Sequence, residues 1–213
     1  MQHKGFIFDM DGVVVDNHKF HFQAWMEFAK KYKFPLNAQI YRDTYNGKTN
    51  ADLFQMIFGN VSAEEIQNFG AEKESLYQNL YGKEMKPHHG ILTFFQHLKS
   101  NQVKIALGTS APTMNVNFTL DNLGIRSYFD VIIDGSMVKH GKPNPEVYTL
   151  CAKGLGLDPK DCVVFEDSIA GLLSGKAAGC SIMGVATSHT IDELKPHVNQ
   201  IISDFTDPLV FTL

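Results

Sequence analysis

Two hydrophobic patterns divide the chain. Phe6-Ile7-Phe8 is an unbroken apolar run that stops on Asp9-Met10-Asp11-Gly12. Such runs mark strands buried on both faces, as in a parallel sheet. From about residue 18 to residue 82 the period changes to three and four. Phe20, Ala24, Trp25, Phe28, Ala29 and Tyr32 share one helical stripe. Ser62 and Glu65 have capping-box spacing for a second helix that ends at Gly82. Its stripe is Ile66, Phe69, Leu76, Tyr77 and Leu80, with Lys73 where an apolar residue is expected. Tyr45-Asn46-Gly47-Lys48-Thr49-Asn50 reads as a polar loop between the two helices. From about residue 88, strands alternate with helices. Strands are expected at 103–108, 131–133, 162–165 and 181–186, with a short last one at Ile201-Ile202. Helices fill about 90–100, 112–123, 145–155 and 169–178. Asn144-Pro145 and Ser168 mark helix starts; Gly124 and Gly179 mark ends.

This order predicts an α/β fold: a Rossmann-like parallel sheet with helices on both faces, plus an all-helical cap inserted after the first strand. The core is expected to comprise 1–16 and 88–213, and the cap 17–87. The joints fall near Asp16–Asn17 and Lys83–His89. A module hung from two short linkers beside the sheet edge can open and close as a lid.

Composition narrows the function classes. The 213 residues are 44% hydrophobic and 20% charged, as in a soluble globular protein. A formal charge of −4 gives no reason to expect nucleic acid or an anionic membrane as partner. No apolar run is long enough to span a bilayer, and the early first strand leaves no room for a signal peptide. Cys151, Cys162 and Cys180 are odd in number, widely spaced and flanked by apolar residues. They read as reduced, packed thiols of a cytoplasmic protein, not a disulfide or zinc framework. No obligatory protein partner is evident.

The chemistry lies where apolar runs end. In an open α/β sheet, ligands bind outside the carboxyl ends of the strands. Asp9 and Asp11 stand at such an end, where one carboxylate can attack and its neighbour can shuttle a proton. Ile105-Ala106-Leu107 ends in Gly108-Thr109-Ser110, and Val163-Val164-Phe165 ends in Glu166-Asp167-Ser168. Gly141-Lys142-Pro143 lies just before a capped helix. One edge can thus collect four carboxylates, a hydroxyl and a lysine. Four clustered carboxylates cannot all stay ionised without cations. Lys142 and a bound Mg²⁺ would supply that charge, and magnesium commonly bridges carboxylates to a substrate phosphate. The set suits a small phosphorylated metabolite. Taken singly, each run has an ordinary reading: a turn at Thr109-Ser110, a solvated Lys142, an acidic helix start at Glu166-Asp167.

Asp9-x-Asp11-Gly12-Val13, Thr109-Ser110, Lys142-Pro143 and Glu166-Asp167-Ser168, in that order, resemble the four motifs of the haloacid dehalogenase-like superfamily. The resemblance covers essentially the whole chain, and the helical insertion resembles the cap of its β-phosphoglucomutase-like branch. It implies that Asp9 is the nucleophile that forms an aspartyl-phosphate and Asp11 the general acid/base. It implies that Thr109 and Lys142 hold the transferring phosphoryl group, with Ser110 on the substrate side. Asp9, the Asp11 carbonyl and Asp167 match the Mg²⁺ ligands, with Glu166 a ligand or just behind them. The second Asp argues against dehalogenase chemistry.

His21-Phe22-Gln23-Ala24-Trp25 and Lys73-x-x-x-Tyr77 are similar to the cap of that branch. The likeness implies that His21 bonds Asp11 on closure and that Lys73 points its amine at the substrate. The ordinary alternatives are a half-buried helical histidine and a snorkelling lysine. In the mutases of the branch, a second phosphate is held by a cap-loop arginine and a Ser-Lys pair after motif two. Here those positions read Asn50, Ala111 and Pro112. Lys48 lies nearby, but a mobile lysine does not replace a bidentate arginine. The expected activity is therefore hydrolysis of a small phosphomonoester, with a sugar phosphate favoured by the cap. A β-phosphoglucomutase is the alternative. A silent phospholigand sensor is a third, against which the intact Asp9 and Asp11 speak.

Overall fold

The computed structural model describes residues 3–45, 48–198 and 200–213. In chain order its strands are β1 (Gly5–Phe8), β2 (Lys104–Gly108), β3 (Val131–Ile133), β4 (Cys162–Glu166), β5 (Ser181–Val185) and β6 (Gln200–Ile202). They form one sheet in the order β3-β2-β1-β4-β5-β6, and every pairing is parallel. The chain winds outward in opposite directions from the centre. Such a reversal opens a crevice beyond the strand ends, which is where ligands bind in doubly wound folds.

Alternation along β1 explains its unbroken apolar run. Phe6 and Phe8 face one side of the sheet and Ile7 the other. On the first side they meet Phe94 and Phe95 of α5 (Ile91–Ser100), with Val116 and Leu120 of α6 (Thr113–Asn122) nearby. The Phe8 ring stacks on Phe165 at 4.7 Å and meets Phe95 edge-on at 5.1 Å. Removing a ring so enclosed costs about 3–5 kcal/mol. On the second side Ile7, Ala106 and Val164 pack against Val147, Tyr148 and Cys151 of α7 (Glu146–Leu155). α8 (Ile169–Ala178) and α9 (Ile191–Leu194) bring Leu172 and Leu194 together in a smaller cluster. All three cysteines are buried free thiols.

Between β1 and α5 the chain is helical: α1 (His18–Tyr32), α2 (Ala38–Ile40), α3 (Asn50–Phe58) and α4 (Ala63–Tyr81). Trp25, Phe28, Tyr45 and Phe54 make an aromatic core of their own, with Phe58 and Phe69 against it. The Ser62–Glu65 capping box is formed as its spacing predicts. Other expectations need correction. The polar loop is shorter than its composition suggests. Tyr45 closes a π-helical turn that begins at Tyr41, and Thr49 caps α3, accepting the Asp52 N–H at 3.2 Å. Asn46 and Gly47 lie outside the described residues. Leu80 faces outward, and Tyr81 takes the buried place at the end of α4. Gly82 ends that helix in right-handed backbone, so the left-handed freedom of glycine is not used there. α7 starts one residue late, with Asn144 Oδ1 accepting the Glu146 N–H at 3.0 Å. No helix among the described residues is long and apolar enough to cross a membrane.

Candidate active site

The carboxyl ends of β1, β2 and β4 bring Asp9, Thr109 and Glu166 to one point. Asp9 leaves β1 with its N–H donated to the Phe165 carbonyl at 3.0 Å. Gly12 follows at φ +81, a backbone that L side chains rarely adopt. A Cβ there would collide with Asp167 Oδ2 and His18 Nε2. Glycine thus lets the turn lie directly against the acidic cluster.

Lys142 is the cation between Asp9 and Glu166. Its Nζ donates to Asp9 Oδ1 at 2.9 Å and to Glu166 Oε1 at 2.5 Å, and all three residues are buried. Glu166 is fixed further by the Tyr148 hydroxyl at 2.8 Å, by the Asp167 and Ser168 N–H groups at 2.8 and 2.9 Å, and by Ser168 Oγ at 3.0 Å. Ser168 also caps α8, its Oγ accepting the Gly171 N–H at 3.0 Å. Asp167 Oδ2 lies 2.6 Å from His18 Nε2 and 3.0 Å from Thr187 Oγ1. Burial raises the Asp9 carboxyl above its ordinary value; Lys142 opposes this, while Glu166, Asp167 and Asp11 add to it. The same two carboxylates hold the Lys142 ammonium well above its usual range against the burial that would lower it.

Asp9, Glu166 and Asp167 each offer an oxygen within 4.8 Å of the others. Burial lowers the His18 imidazole but Asp167 holds it up to about 9, and even with this second cation beside Lys142 the three buried carboxylates stay short of positive charge. Their all-oxygen chemistry fits a hard divalent cation. Glu166 already accepts five hydrogen bonds, so its oxygens are the most committed of the three.

Asp11 stands across the same cavity. Its Oδ1 accepts from Asn17 Nδ2 at 2.6 Å, and His21 Nε2 is 3.4 Å from its Oδ2. Burial favours the neutral acid, but His21, Asn17 and His18 outweigh it and hold Asp11 well below the usual carboxylate range. Behind it, the His21 ring stacks on Tyr77 at 3.8 Å, and His21 Nδ1 meets Lys73 Nζ at 2.9 Å. Burial and the Lys73 ammonium push the imidazole down from its ordinary value.

The predicted residues therefore converge. Asp9, Asp11, His21, Lys48, Lys73, Thr109, Ser110, Lys142 and Asp167 all line one cavity of about 80 Å³. Thr109 is buried, its Oγ1 accepting the Ala111 N–H at 3.1 Å. Lys73 points inward, not out along the helix surface. Lys48 is exposed at the rim. Glu166 lies behind Lys142 and outside the lining. Sequence reasoning passed over Asn17, His18, Glu74 and Asn115, which also carry the local geometry. Asn17 and His18 follow the first motif so closely that their position beside the joint was the available signal. Glu74 and Asn115 are 41 positions apart, and no pattern joins them.

Comparison with known proteins decides the family. The model for haloacid dehalogenase-like hydrolases matches residues 3–179. The chain belongs to that family. A phosphorylated carbohydrates phosphatase of Thermotoga maritima is 32% identical over 183 residues, covering 85% of this chain and 85% of its own. A fructose-1-phosphate phosphatase of Escherichia coli is 31% identical, covering 86% of this chain and 97% of its own. The crystal structure of a β-phosphoglucomutase from Clostridium difficile superposes with a TM-score of 0.84 at 30% identity, covering 95% of this chain and 92% of that one. These relatives support a phosphoric monoester hydrolase within the β-phosphoglucomutase-like branch of the haloacid dehalogenase-like hydrolases.

Proposed function

We propose that the protein hydrolyses a small phosphomonoester, a sugar monophosphate, with Mg²⁺ bound by Asp9, Asp167 and the Asp11 carbonyl. The observation that carries this reading is the convergence of Asp9, Asp11, Thr109 and Lys142 on one small cavity beneath the helical insertion. That insertion is the lid, with joints near Asp16–Asn17 and Lys83–His89. His88 N–H donates to the Val14 carbonyl at 2.8 Å, which ties the two joints side by side.

The cation supplies charge balance for the buried carboxylates and the phosphoryl oxygens. The chain's own residues do the rest. Asp9 attacks phosphorus, and the ester P–O bond breaks as the aspartyl-phosphate forms. Thr109 and Lys142 hold the phosphoryl oxygens as charge shifts among them. Asp11 gives its proton to the departing sugar oxygen. The resulting carboxylate then takes a proton from the water that attacks the aspartyl-phosphate, which releases phosphate and restores Asp9. The acid role requires a protonated Asp11, whereas its burial is outweighed by His21, Asn17 and His18 together, which favour the ionised form. A phosphate dianion beside Asp11 adds like charge and drives it toward the neutral acid. His21 and Asn17 aim its oxygens meanwhile.

The mutase remains a second reading because of the Clostridium difficile likeness. Phosphorus NMR separates the two, with Mg²⁺, β-glucose 1-phosphate and a trace of glucose 1,6-bisphosphate, run beside a panel of phosphomonoesters. Inorganic phosphate as the main product, from whichever ester, supports hydrolysis. Rapid glucose 6-phosphate with little free phosphate would refute it. Asp9→Asn is expected to abolish turnover, and Asp11→Asn to be nearly inactive while still binding Mg²⁺.

A further inference from the structure

The far end of the cavity holds a buried carboxylate that the proposed chemistry does not use. Glu74 on α4 lines the cavity at 1% exposure. Its Oε1 accepts from Asn50 Nδ2 at 2.6 Å and from Lys73 Nζ at 3.0 Å. Its Oε2 accepts from Asn115 Nδ2 at 2.6 Å. Asn50 opens α3, Lys73 lies on α4 and Asn115 on α6, so three elements aim their donors at one acceptor. We propose that Glu74 is a specificity-determining residue: it makes this end of the cavity reject a second phosphate and accept the neutral, hydroxyl-bearing end of a sugar monophosphate. The proposal rests on the phosphatase reading and deepens it.

The reasoning is one of donor supply and charge. A phosphate needs N–H donors and net positive charge around it. Asn50, Lys73 and Asn115 would be the natural donors here, but each gives a hydrogen bond to Glu74. Lys73 is further engaged by His21 at 2.9 Å, and its charge is cancelled by the carboxylate beside it. A second phosphate would have to break these bonds and then lie against a buried anion. A hydroxyl group meets no such conflict. Among the described residues Oε2 accepts one hydrogen bond, from Asn115, and keeps a lone pair for a sugar O–H. The network also joins the insertion to the sheet domain, because Asn115 lies on α6 and takes a further bond from Gln78 at 3.0 Å. Discrimination is therefore complete when the insertion lies over the site, as it does here.

The alternative is that Glu74 only neutralises Lys73 and supports the fold. That role would weaken both substrate types equally, so the readout is a ratio. The full-length protein with Mg²⁺ is assayed for kcat/KM on fructose 1-phosphate and on fructose 1,6-bisphosphate. The wild type is expected to favour the monophosphate at least tenfold. Glu74→Gln keeps the shape and removes the charge, and is expected to shrink that preference tenfold or more. Binding is measured in parallel by calorimetry on Asp9→Asn, with and without Glu74→Gln, where no turnover is needed. A wild type that prefers the bisphosphate overturns the proposal, even if Glu74→Gln fails to fold. So does a Glu74→Gln protein whose two rates or two affinities fall in step. If no phosphomonoester is hydrolysed but the calorimetric ratio shifts as expected, the phosphatase reading fails and the role of Glu74 stands.

Discussion

Replacing Lys142 with Met tests the charge balance on which the site depends. Methionine keeps most of the stem and its packing over the Tyr148 ring, where the ammonium now lies 5.0 Å from the centroid. What disappears is the single ammonium bonded to both Asp9 and Glu166. Breaking a buried ion pair by removing one partner costs about 3–5 kcal/mol, because the surviving charge is left uncompensated. For a chain of this length that is a fall of about 6–20 °C in Tm. The loss also has a pH signature. Burial already raises Asp9, and Lys142 is the group that opposes it. Without the ammonium, folded Asp9 keeps its proton to still higher pH than the unfolded chain does. Over that window the unfolded state binds fewer protons, so stability falls as pH rises, by at most ~1.4 kcal/mol per pH unit. Wild-type Asp9 already keeps its proton up to about 8, so the deficit stays nearly level below that value and grows above it, and is larger at about pH 9.5 than at pH 8. Mg²⁺ binding only the folded form recovers part of it, about 2.7 kcal/mol at 100 times Kd. Urea denaturation of both proteins at the two pH values, with EDTA and with Mg²⁺, measures every term. A loss below about 1 kcal/mol at pH 8 in EDTA, against the 3–5 expected, would refute the reasoning. So would a deficit that shrinks with rising pH.

Three further outcomes are expected. Gly171→Ala should cost at least about 1–3 kcal/mol and most of the activity, because its Cβ would overlap a Glu166 carboxylate held too firmly to move; wild-type stability and rate would show the space to be adaptable. The three thiols should resist Ellman's reagent in the folded protein and react on unfolding, since burial pushes Cys162 up to about 11 and Cys180 up to about 12; a fast native phase would contradict this. Burial favours protonated Glu74, but Lys73, His21, Asn50 and Asn115 outweigh it and lower its value below 4.5. The stability advantage of wild type over Glu74→Gln, about 1–3 kcal/mol, should thus be full above about pH 4.5 and vanish as pH falls, as read by chemical denaturation across that range.

The parallel sheet was legible because its information is local. Each strand of the second half is an apolar run bounded by a helix whose caps are visible, and Ser168 and Gly179 bracket α8 as their types predict. Asp9, Thr109 and Glu166 also sit at the ends of their own runs, and Lys142 just before a capped helix, so the sheet order was not needed to gather them. The insertion was harder to read. α3 is short and lies beside a polar stretch, and its apolar residues are held by rings of α1 and α4 that are distant in sequence. Tertiary packing decides such a helix more than its own propensity.

The same distinction separates the legible part of the site from the hidden part. Lys73 stood out as a cation inside an apolar stripe, and that anomaly was readable without coordinates. Glu74 next to it carried no such anomaly and was passed over. It is buried because α4 is covered by α1, by α3 and by α6, so adjacent residues of one helix both face protein. A helical period assigns one buried face and cannot assign two. Charge neutrality then follows from proximity: the carboxylate beside Lys73 turns a cation that seemed available to phosphate into half of an internal pair. Asn50 alone looked like a missing arginine. In the fold it is a donor given to Glu74, so this end of the cavity is built for a different chemistry and not merely deprived of one.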